Sequence, residues 1–213
     1  MVWKKDAPQG DEAGKVRWDT VEFTRGLGLD IGCGPMKIWP QAIGVDNRKD
    51  TGMFGIAMDP DITVPDATSI PIFATGTFDW VFSSHTLEHI PDHKKALKEW
   101  WRLVKMGGYL ILYLPHKSFY PNIGQDGANP DHKHDFVPMD IVDAMKEIGD
   151  WDLVECQERN QDNEYSFLII FKKTTWAENE RTLQKHSPEI RKLLIRQPGV
   201  ENGPVQGIAM GTV

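Results

Sequence analysis

Short apolar runs separated by polar turns begin at residue 26 and predict a series of β-strands. Two of these runs, GLGLDI (26–31) and AIGVD (42–46), have the pattern of buried strands, and DITV (61–64) is a shorter third run. FDWVFSS (78–84) and GYLILYLP (108–115) predict a fourth and a fifth strand. The runs are nearly continuous in apolar character, which is typical of strands covered on both faces.

The segment between the fourth and fifth strands, PDHKKALKEWWRLVKMGG, has the periodicity of a helix. Leu97, Trp100, Trp101 and Val104 recur at i, i+3, i+4 and i+7, which places them on one helical face. A proline suits the first turn, and a Gly-Gly pair suits the end. Because both tryptophans belong to the apolar stripe, we interpret them as core residues and not as a ligand-stacking pair.

The second half of the chain predicts one more helix and an antiparallel strand pair. PMDIVDAMKEIG (138–149) has a proline near its start and a glycine at its close, as helices often do. WDLVECQE (151–158) and EYSFLIIFKK (164–173) alternate like two strands joined by a polar loop. Together with the earlier runs, this pattern predicts an α/β fold with a seven-stranded, mostly parallel sheet, a C-terminal antiparallel hairpin and helices on both faces.

The 213 residues suit one domain with flanking segments. We expect an N-terminal arm over 1–25, the domain itself over 26–173, and a C-terminal helix with a loose tail over 174–213. The basic residues of that last segment are a candidate docking surface for a protein, although a solvated helix is the favoured interpretation. They are Arg181, Lys185, Arg191, Lys192 and Arg196.

Charge and composition narrow the classes of function. The net charge of −7 argues against nucleic acid as the main partner. The two cysteines cannot form a disulfide framework, and the N-terminus lacks the apolar segment of a signal peptide. We therefore expect a cytoplasmic protein without a membrane span.

Polar residues follow the strands at the edge where α/β sheets bind ligands. The first strand ends in an Asp-x-Gly-x-Gly turn that begins at Asp30, and such bare backbone lets a ligand approach its amides. Asp46 ends the second strand, where an acid can accept hydrogen bonds from ribose hydroxyls. Asp66 follows the third strand and is placed to accept from an adenine amine.

In this order, the motifs resemble those of the class I S-adenosylmethionine-dependent methyltransferases, in particular the type 11 group. The resemblance covers roughly residues 26–173 and implies a Rossmann-like fold with S-adenosylmethionine as cofactor. The matching segments are LDIGCGP (29–35), IGVD (43–46), DATSIP (66–71), TFDWVFSSHTLEHI (77–90) and LVKMGGYLILYLP (103–115).

The resemblance also implies which residues bind the cofactor. The turn after the first strand would line the methionine end of the cofactor, and the residues after the second strand would hold its ribose. The residues after the third strand would meet the adenine, and the residues after the fourth strand would lie beside the sulfonium. These residues are Asp30, Gly32, Cys33, Gly34, Asp46, Asn47, Asp66, Ala67, Ser83 and Ser84, with His85 next to the last two.

Two features near the first turn test this interpretation. The family usually has a full helix between its first two strands, whereas here only PMKIWPQ intervenes, and its two prolines do not allow a proper helix. A dinucleotide fingerprint would need a third glycine where Lys37 stands, and a helix N-terminus for the pyrophosphate. NAD is therefore the poorer candidate ligand.

Six of the seven histidines lie between residues 85 and 134, at the predicted ligand edge. Since imidazole titrates near neutral pH, we take His85, His132 and His134 as candidate catalytic bases. Asp131 and Asp135 beside the last two could suggest a metal site, but no matching acidic pattern follows the fourth strand. We therefore assign no metal ligands.

The sequence favours O-methylation of a small molecule or saccharide. The turn SSHT lacks the Pro-Pro-aromatic sequence of enzymes that methylate amino groups of DNA, and neither cysteine follows a proline as in cytosine-C5 enzymes. The long polar and aromatic loop 116–137 could cover a polar acceptor. Two alternatives remain open, a methyltransferase that acts on a protein and a nucleoside-binding module without turnover. The oligomeric state is not predicted.

Overall fold

The computed structural model of the protein describes residues 11–48, 58–161 and 163–174. Its centre is a seven-stranded sheet with strand order β3-β2-β1-β4-β5-β7-β6. The strands are β1 (Gly28–Ile31), β2 (Ile43–Asp46), β3 (Ile62–Thr63), β4 (Phe78–Ser84), β5 (Val104–Pro115), β6 (Trp151–Arg159) and β7 (Ser166–Lys173). The helices are α1 (Glu12–Val16), α2 (His93–Leu103) and α3 (Pro138–Lys146).

Strands β1 to β5 run parallel to one another, and β7 is antiparallel to both β5 and β6. This confirms the predicted mostly parallel sheet with its antiparallel C-terminal pair. Ile31 pairs with Val45 on one side and with Ser83 on the other. The carboxyl ends of β1, β2 and β4 therefore meet at one edge, and the residues that follow them come together there.

Helices α2 and α3 cover one face of the sheet. Asp92 caps α2 by accepting a hydrogen bond from the Lys95 amide at 2.9 Å. Trp100 is fully buried, and its indole Nε1 donates to the Ala67 carbonyl at 2.9 Å. Trp101 is also buried in this core. The prediction that both tryptophans pack in the core is confirmed.

The other face is covered by α1 and by irregular segments before β1 and β2. Ala13 and Val16 of α1 pack with Ile38 and Ala42 against side chains of the central strands, among them Trp80. The described residues thus place helices on both faces, as predicted, although α1 has only five residues. No helix in this part of the chain combines the length and apolarity needed to cross a membrane.

Element boundaries differ most at the start of β5. The sequence predicts a strand from residue 108, but α2 ends at Leu103 and the strand begins at Val104. In this extension, Val104 pairs with Phe78 of β4. The register between β4 and β5 then shifts between Phe78 and Trp80. Sequence pattern missed this extension because Lys105, Met106 and Gly107 are exposed.

The C-terminal segment predicted over 174–213 lies outside the described residues, apart from Thr174. The same is true of its five basic residues, so the docking surface for a protein stays a prediction. The domain boundaries proposed from the sequence also stay predictions.

Candidate active site

The turn after β1 keeps backbone and space available for a ligand. Gly32 and Gly34 have φ angles of 70° and 54°, in the left-handed region that favours glycine. A Cβ on Gly32 would lie 2.1 Å from Thr86 Oγ1, whereas one on Gly34 would meet nothing within 4 Å. The backbone at Gly34 therefore borders open space, which a bound molecule can occupy.

Asp46 lies opposite this turn, at the end of β2. Its Oδ2 accepts a hydrogen bond from the Gly34 amide at 3.1 Å, and its Oδ1 accepts from the Arg48 amide at 3.1 Å. The carboxylate is partly exposed, and the neighbouring Asn47 is exposed. Because a carboxylate oxygen can accept more than one hydrogen bond, Asp46 can still bind ligand hydroxyls.

Asp30, the acid of the glycine turn, is buried beneath the loop that follows it. Its residue surface is 2% exposed, and its Oδ2 accepts a hydrogen bond from the Ile38 amide at 2.6 Å. Burial raises its pKa to about 7. Burial likewise raises the pKa of the Cys33 thiol, to about 12, so this thiol is protonated at neutral pH. In this structure, the Asp30 carboxyl group holds the following loop in place through its hydrogen bond with Ile38.

Asp66 and Ala67 lie after β3. Asp66 is exposed, and its Oδ1 accepts from the Thr68 amide at 2.8 Å. Hydrogen bonds from the side chain and the backbone of Thr68 hold the pKa of Asp66 below its usual range. The Ala67 carbonyl is occupied by Trp100. A buried helix residue thus fixes the segment that the resemblance assigns to adenine.

Three consecutive residues turn the chain at the end of β4. Ser83 is fully buried and donates to the Ile31 carbonyl at 2.9 Å, which ties β4 to β1. Ser84 has a buried hydroxyl without a hydrogen-bond partner among the described residues. His85 follows with a φ of 47°, a conformation that is uncommon outside glycine and is frequent at functional sites.

His85 is held by polar groups from several elements. Its Nε2 is 2.9 Å from Ser166 Oγ on β7 and 3.6 Å from Glu12 Oε2 on α1. Its Nδ1 is 3.8 Å from Glu88 Oε1. Desolvation lowers the pKa of His85 to about 3, so the imidazole is neutral at physiological pH. Sequence reasoning missed Glu12, since the polar N-terminal segment showed no relation to the sheet edge.

Glu88 is the most unusual charged side chain of this edge. It is fully buried in a short 3₁₀ turn, Leu87–His89, and neither of its oxygens has a hydrogen-bond partner in another described residue. Burial raises its pKa to about 8. Glu88 belongs to a segment that resembles a family motif, but the sequence indicates no role for it, because its burial depends on the distant loop that carries His132.

Two further histidines complete this arrangement. His89 Nε2 and His132 Nε2 each lie 3.9 Å from Glu88 Oε1. The backbone carbonyl of Glu88 accepts from the amides of Lys133 and His134, at 2.7 and 3.2 Å, which fixes the loop beside the turn. We call Glu88 with His85, His89 and His132 the Glu88 cluster.

The other predicted histidine and its acidic neighbours point elsewhere. His134 Nε2 lies 3.0 Å from the Ile90 carbonyl, and its ring stacks on Phe136. Asp135 accepts a hydrogen bond from the Ile123 amide. The structure therefore brings His85 and His132 together but places His134 outside the cluster.

The loop after β5 packs against the Glu88 cluster and contributes His132 to it. It starts where the His116 amide donates to the Tyr165 carbonyl at 2.8 Å. Tyr120 then packs between two rings, with centroids 4.9 Å from Tyr165 and 5.3 Å from His132. A narrow crevice, too small for a water-sized molecule, is lined here by residues that include His116, Tyr120, His132 and Asp135.

The residues at this edge fit an adenosyl cofactor. The open space at Gly34 allows close approach to backbone amides, and Asp46 presents a partly exposed carboxylate. The polar groups at the end of β4 lie next to this space because β1 and β4 are paired neighbours. The arrangement can bind a nucleoside on one side and exchange a proton with an acceptor on the other.

Comparison with known proteins agrees with this geometry. Residues 29–112 match the methyltransferase domain family. A sterol 4-C-methyltransferase of Caenorhabditis elegans is 32% identical over 101 residues, which is 40% of this chain and 30% of that protein. A trans-aconitate 2-methyltransferase of Azoarcus is 26% identical over 103 residues, or 44% and 41% of the two chains. This chain thus spans less than half the length of these curated relatives.

Solved structures show the same fold. An S-adenosylmethionine-dependent methyltransferase from Archaeoglobus fulgidus superposes with a TM-score of 0.56 at 18% identity, over 80% of this chain and 96% of that one. A possible histamine N-methyltransferase from Thermotoga maritima gives 0.54 at 18% identity, over 74% and 87%. Residues 29–112 therefore match a methyltransferase domain, and the sheet has the fold of S-adenosylmethionine-dependent methyltransferases of known structure.

Proposed function

We propose that the protein transfers the methyl group of S-adenosylmethionine to a hydroxyl oxygen of a small molecule, with saccharides as the favoured class. The observation that carries this proposal is the Glu88 cluster at the carboxyl end of β4. Methyl transfer to a hydroxyl requires removal of its proton, which a positioned side chain can accept. Three imidazoles around one carboxylate supply several groups of that kind.

The cofactor would bind across the ends of β1, β2 and β3. Gly32 and Gly34 would face its methionine part, Asp46 the ribose hydroxyls, and Asp66 the adenine. Ser84 and His85, at the end of β4, would lie beside the methyl group. This assignment of residues follows the family motifs, and it is supported by the open space at Gly34 and the accessible carboxylates of Asp46 and Asp66.

The loop after β5 supports a saccharide or another polar ring as the acceptor. Tyr120 and Tyr165 are partly exposed and would offer their exposed ring atoms to the C–H surfaces of a sugar, while His132 would offer a polar atom beside them. Within this set, His85 and His132 are our candidates for the proton acceptor. His134 serves the loop, because its ring is engaged by a backbone carbonyl.

Cofactor binding is tested first, by calorimetric titration of the full-length protein with S-adenosylmethionine, S-adenosylhomocysteine and NAD. Asp46→Ala is expected to weaken binding of both sulfur nucleosides by at least about tenfold, or about 1.4 kcal/mol. The matched control is Asp150→Ala, which changes an exposed aspartate before β6 and should bind like the wild type. Failure of the wild type to bind either nucleoside, or preferential binding of NAD, would contradict the proposal.

The acceptor is then sought with S-adenosylmethionine labelled on the methyl group. Panels of sugars, nucleotide sugars, phenols, carboxylic acids and amines separate the acceptor classes. Products that keep the label after mild base are ethers or amines, because methyl esters hydrolyse. Label found only in esters or in methylated amines would overturn O-methylation of a hydroxyl. Cofactor binding without transfer to any member would favour a nucleoside-binding module.

A further inference from the structure

The Glu88 cluster contains an arrangement to which cofactor binding assigns no role. Glu88, His89 and His132 each present one ligand atom, and these three atoms all lie within 4.8 Å of one another. Glu88 comes from the turn after β4 and His132 from the loop after β5, so they are far apart in sequence. We propose that these three side chains bind a divalent transition-metal ion, with zinc as the test ion.

The spacing is close to that of a metal site. Glu88 Oε1 lies 3.9 Å from His89 Nε2 and 3.9 Å from His132 Nε2. In a tetrahedral zinc site with ligand atoms about 2.1 Å from the ion, those atoms are about 3.4 Å apart. The two distances to Glu88 exceed this spacing by roughly half an ångström, and the third separation, at most 4.8 Å, exceeds it by up to about 1.4 Å, so side-chain rotations would have to close the site around the ion.

The buried carboxylate is an independent indication of a cation. Glu88 is fully buried, and both of its oxygens lack a hydrogen-bond partner in another described residue. Burying a carboxylate without such partners is costly, and buried charges are normally paired or bound to metal. No lysine or arginine forms an ion pair with Glu88 among the described residues; its recorded ionic neighbours are histidines.

The donor set selects the class of ion. Two imidazoles with one carboxylate are typical of zinc and of non-haem iron sites, whereas magnesium and calcium prefer oxygen ligands. The His89 ring also hydrogen bonds to the backbone of Asp131. Contacts of this type orient the histidines that bind metals. His85 Nδ1, 3.8 Å from the same Glu88 oxygen, is the candidate for a fourth ligand.

The location gives such an ion a use in the proposed reaction. It would lie after β4, next to the position that the family motifs assign to the transferred methyl group. A bound divalent ion lowers the pKa of a hydroxyl that it contacts, and it also fixes the position of that hydroxyl. The site itself does not depend on the proposed function, because metal binding is measured without cofactor or acceptor.

The test uses the full-length protein after treatment with a chelator and dialysis. We expect one equivalent of Zn²⁺ in calorimetry, and an absorption spectrum with Co²⁺ that reports nitrogen and oxygen ligands. Glu88→Gln and His132→Gln should each weaken Zn²⁺ binding by more than about 100-fold, since even residues that only orient metal ligands contribute 10- to 100-fold. Zn²⁺ should raise the unfolding temperature of the wild type but not of Glu88→Gln.

Matched controls separate this site from adventitious metal binding. Glu147→Gln changes an exposed carboxylate at the end of α3, and His186→Gln changes the histidine outside the described residues. Both should bind Zn²⁺ like the wild type. If Glu88→Gln fails to fold, His89→Gln is tested in its place, because His89 is partly exposed.

Two outcomes would overturn the proposal. One is a wild-type protein that binds no Zn²⁺, and the other is unchanged affinity in the cluster variants. S-adenosylmethionine titration of the same samples reports separately on the proposed function. A failure of metal binding can therefore be distinguished from a failure of cofactor binding.

Discussion

Asp30 predicts an unusual dependence of stability on pH. Its carboxyl group is buried beneath residues 32–42, where it accepts the Ile38 amide at 2.6 Å. Desolvation is the main cause of its raised pKa, and the charge of Asp46 adds to the rise. The Ile38 hydrogen bond and the nearby cations Lys37 and Arg17 oppose the rise without cancelling it.

The expected magnitude follows from the difference between the folded and unfolded pKa values. The pKa rises from 3.8 to about 7 on folding, so the folded protein binds this proton more tightly than the unfolded chain. The contribution is fully present below about pH 4 and is lost as the pH rises through about 7. Since one pKa unit corresponds to about 1.4 kcal/mol, Asp30 accounts for at most about 4 kcal/mol of this loss.

Asp30→Asn removes the titrating proton but keeps an oxygen that can accept the Ile38 amide. We expect its free energy of unfolding, relative to that of the wild type, to increase between pH 4 and pH 8 by a few kcal/mol. Urea denaturation followed by tryptophan fluorescence at several pH values measures this difference. The exposed Asp150→Asn is the control. Parallel pH profiles for wild type and Asp30→Asn would refute the assignment of a buried carboxyl group with a raised pKa.

Three further variants test other parts of the structure. Gly34→Ala places a Cβ on a residue with a φ of 54°, so urea denaturation should show an unfolding free energy lower by about 1–2 kcal/mol. The new methyl group also enters the open space, and calorimetry should therefore show weaker S-adenosylmethionine binding. Trp100→Phe leaves the Ala67 carbonyl without its indole donor, and urea denaturation should show a loss of about 1–3 kcal/mol. Arg159 is buried, and its Nη2 donates a hydrogen bond to Glu164 Oε1 at 2.8 Å. Arg159→Ala leaves the Glu164 carboxylate without this partner and should lower the unfolding free energy by about 3–5 kcal/mol in urea denaturation. An unchanged denaturation midpoint in any of the three would contradict the corresponding contact.

The sheet could be predicted from the sequence because its signal is local. β4 was predicted with its observed bounds, and the other strands overlap their predicted runs, since buried strands need continuous apolar residues. The start of β5 was missed because pairing with β4 extends it through exposed residues. In that region, hydrogen bonds between strands decide the structure, and apolar pattern carries no information about them.

The Glu88 cluster could not be assembled from sequence spacing. Glu88 and His89 are adjacent, but His132 approaches them only because the loop after β5 donates two amides to the Glu88 carbonyl. The sequence placed His132 with His134, two residues away, whereas the structure separates their rings toward different partners. Residues that share a sheet edge are predictable as a group, but which of them touch depends on loop packing.

The short connection between β1 and β2 departs from the family pattern, and its contacts explain why the site can tolerate it. A helix would satisfy its own backbone groups, and here side chains do so instead. Asp30 accepts the Ile38 amide, Arg17 Nε donates to the Ile38 carbonyl at 2.7 Å, and Lys37 Nζ donates to the Ala42 carbonyl at 2.8 Å. Ile38 fills the core in place of a helical face. The backbone groups satisfied in this way belong to Ile38 and Ala42, beyond Gly34 in the chain, and the turn at Gly34 keeps its open space without the helix.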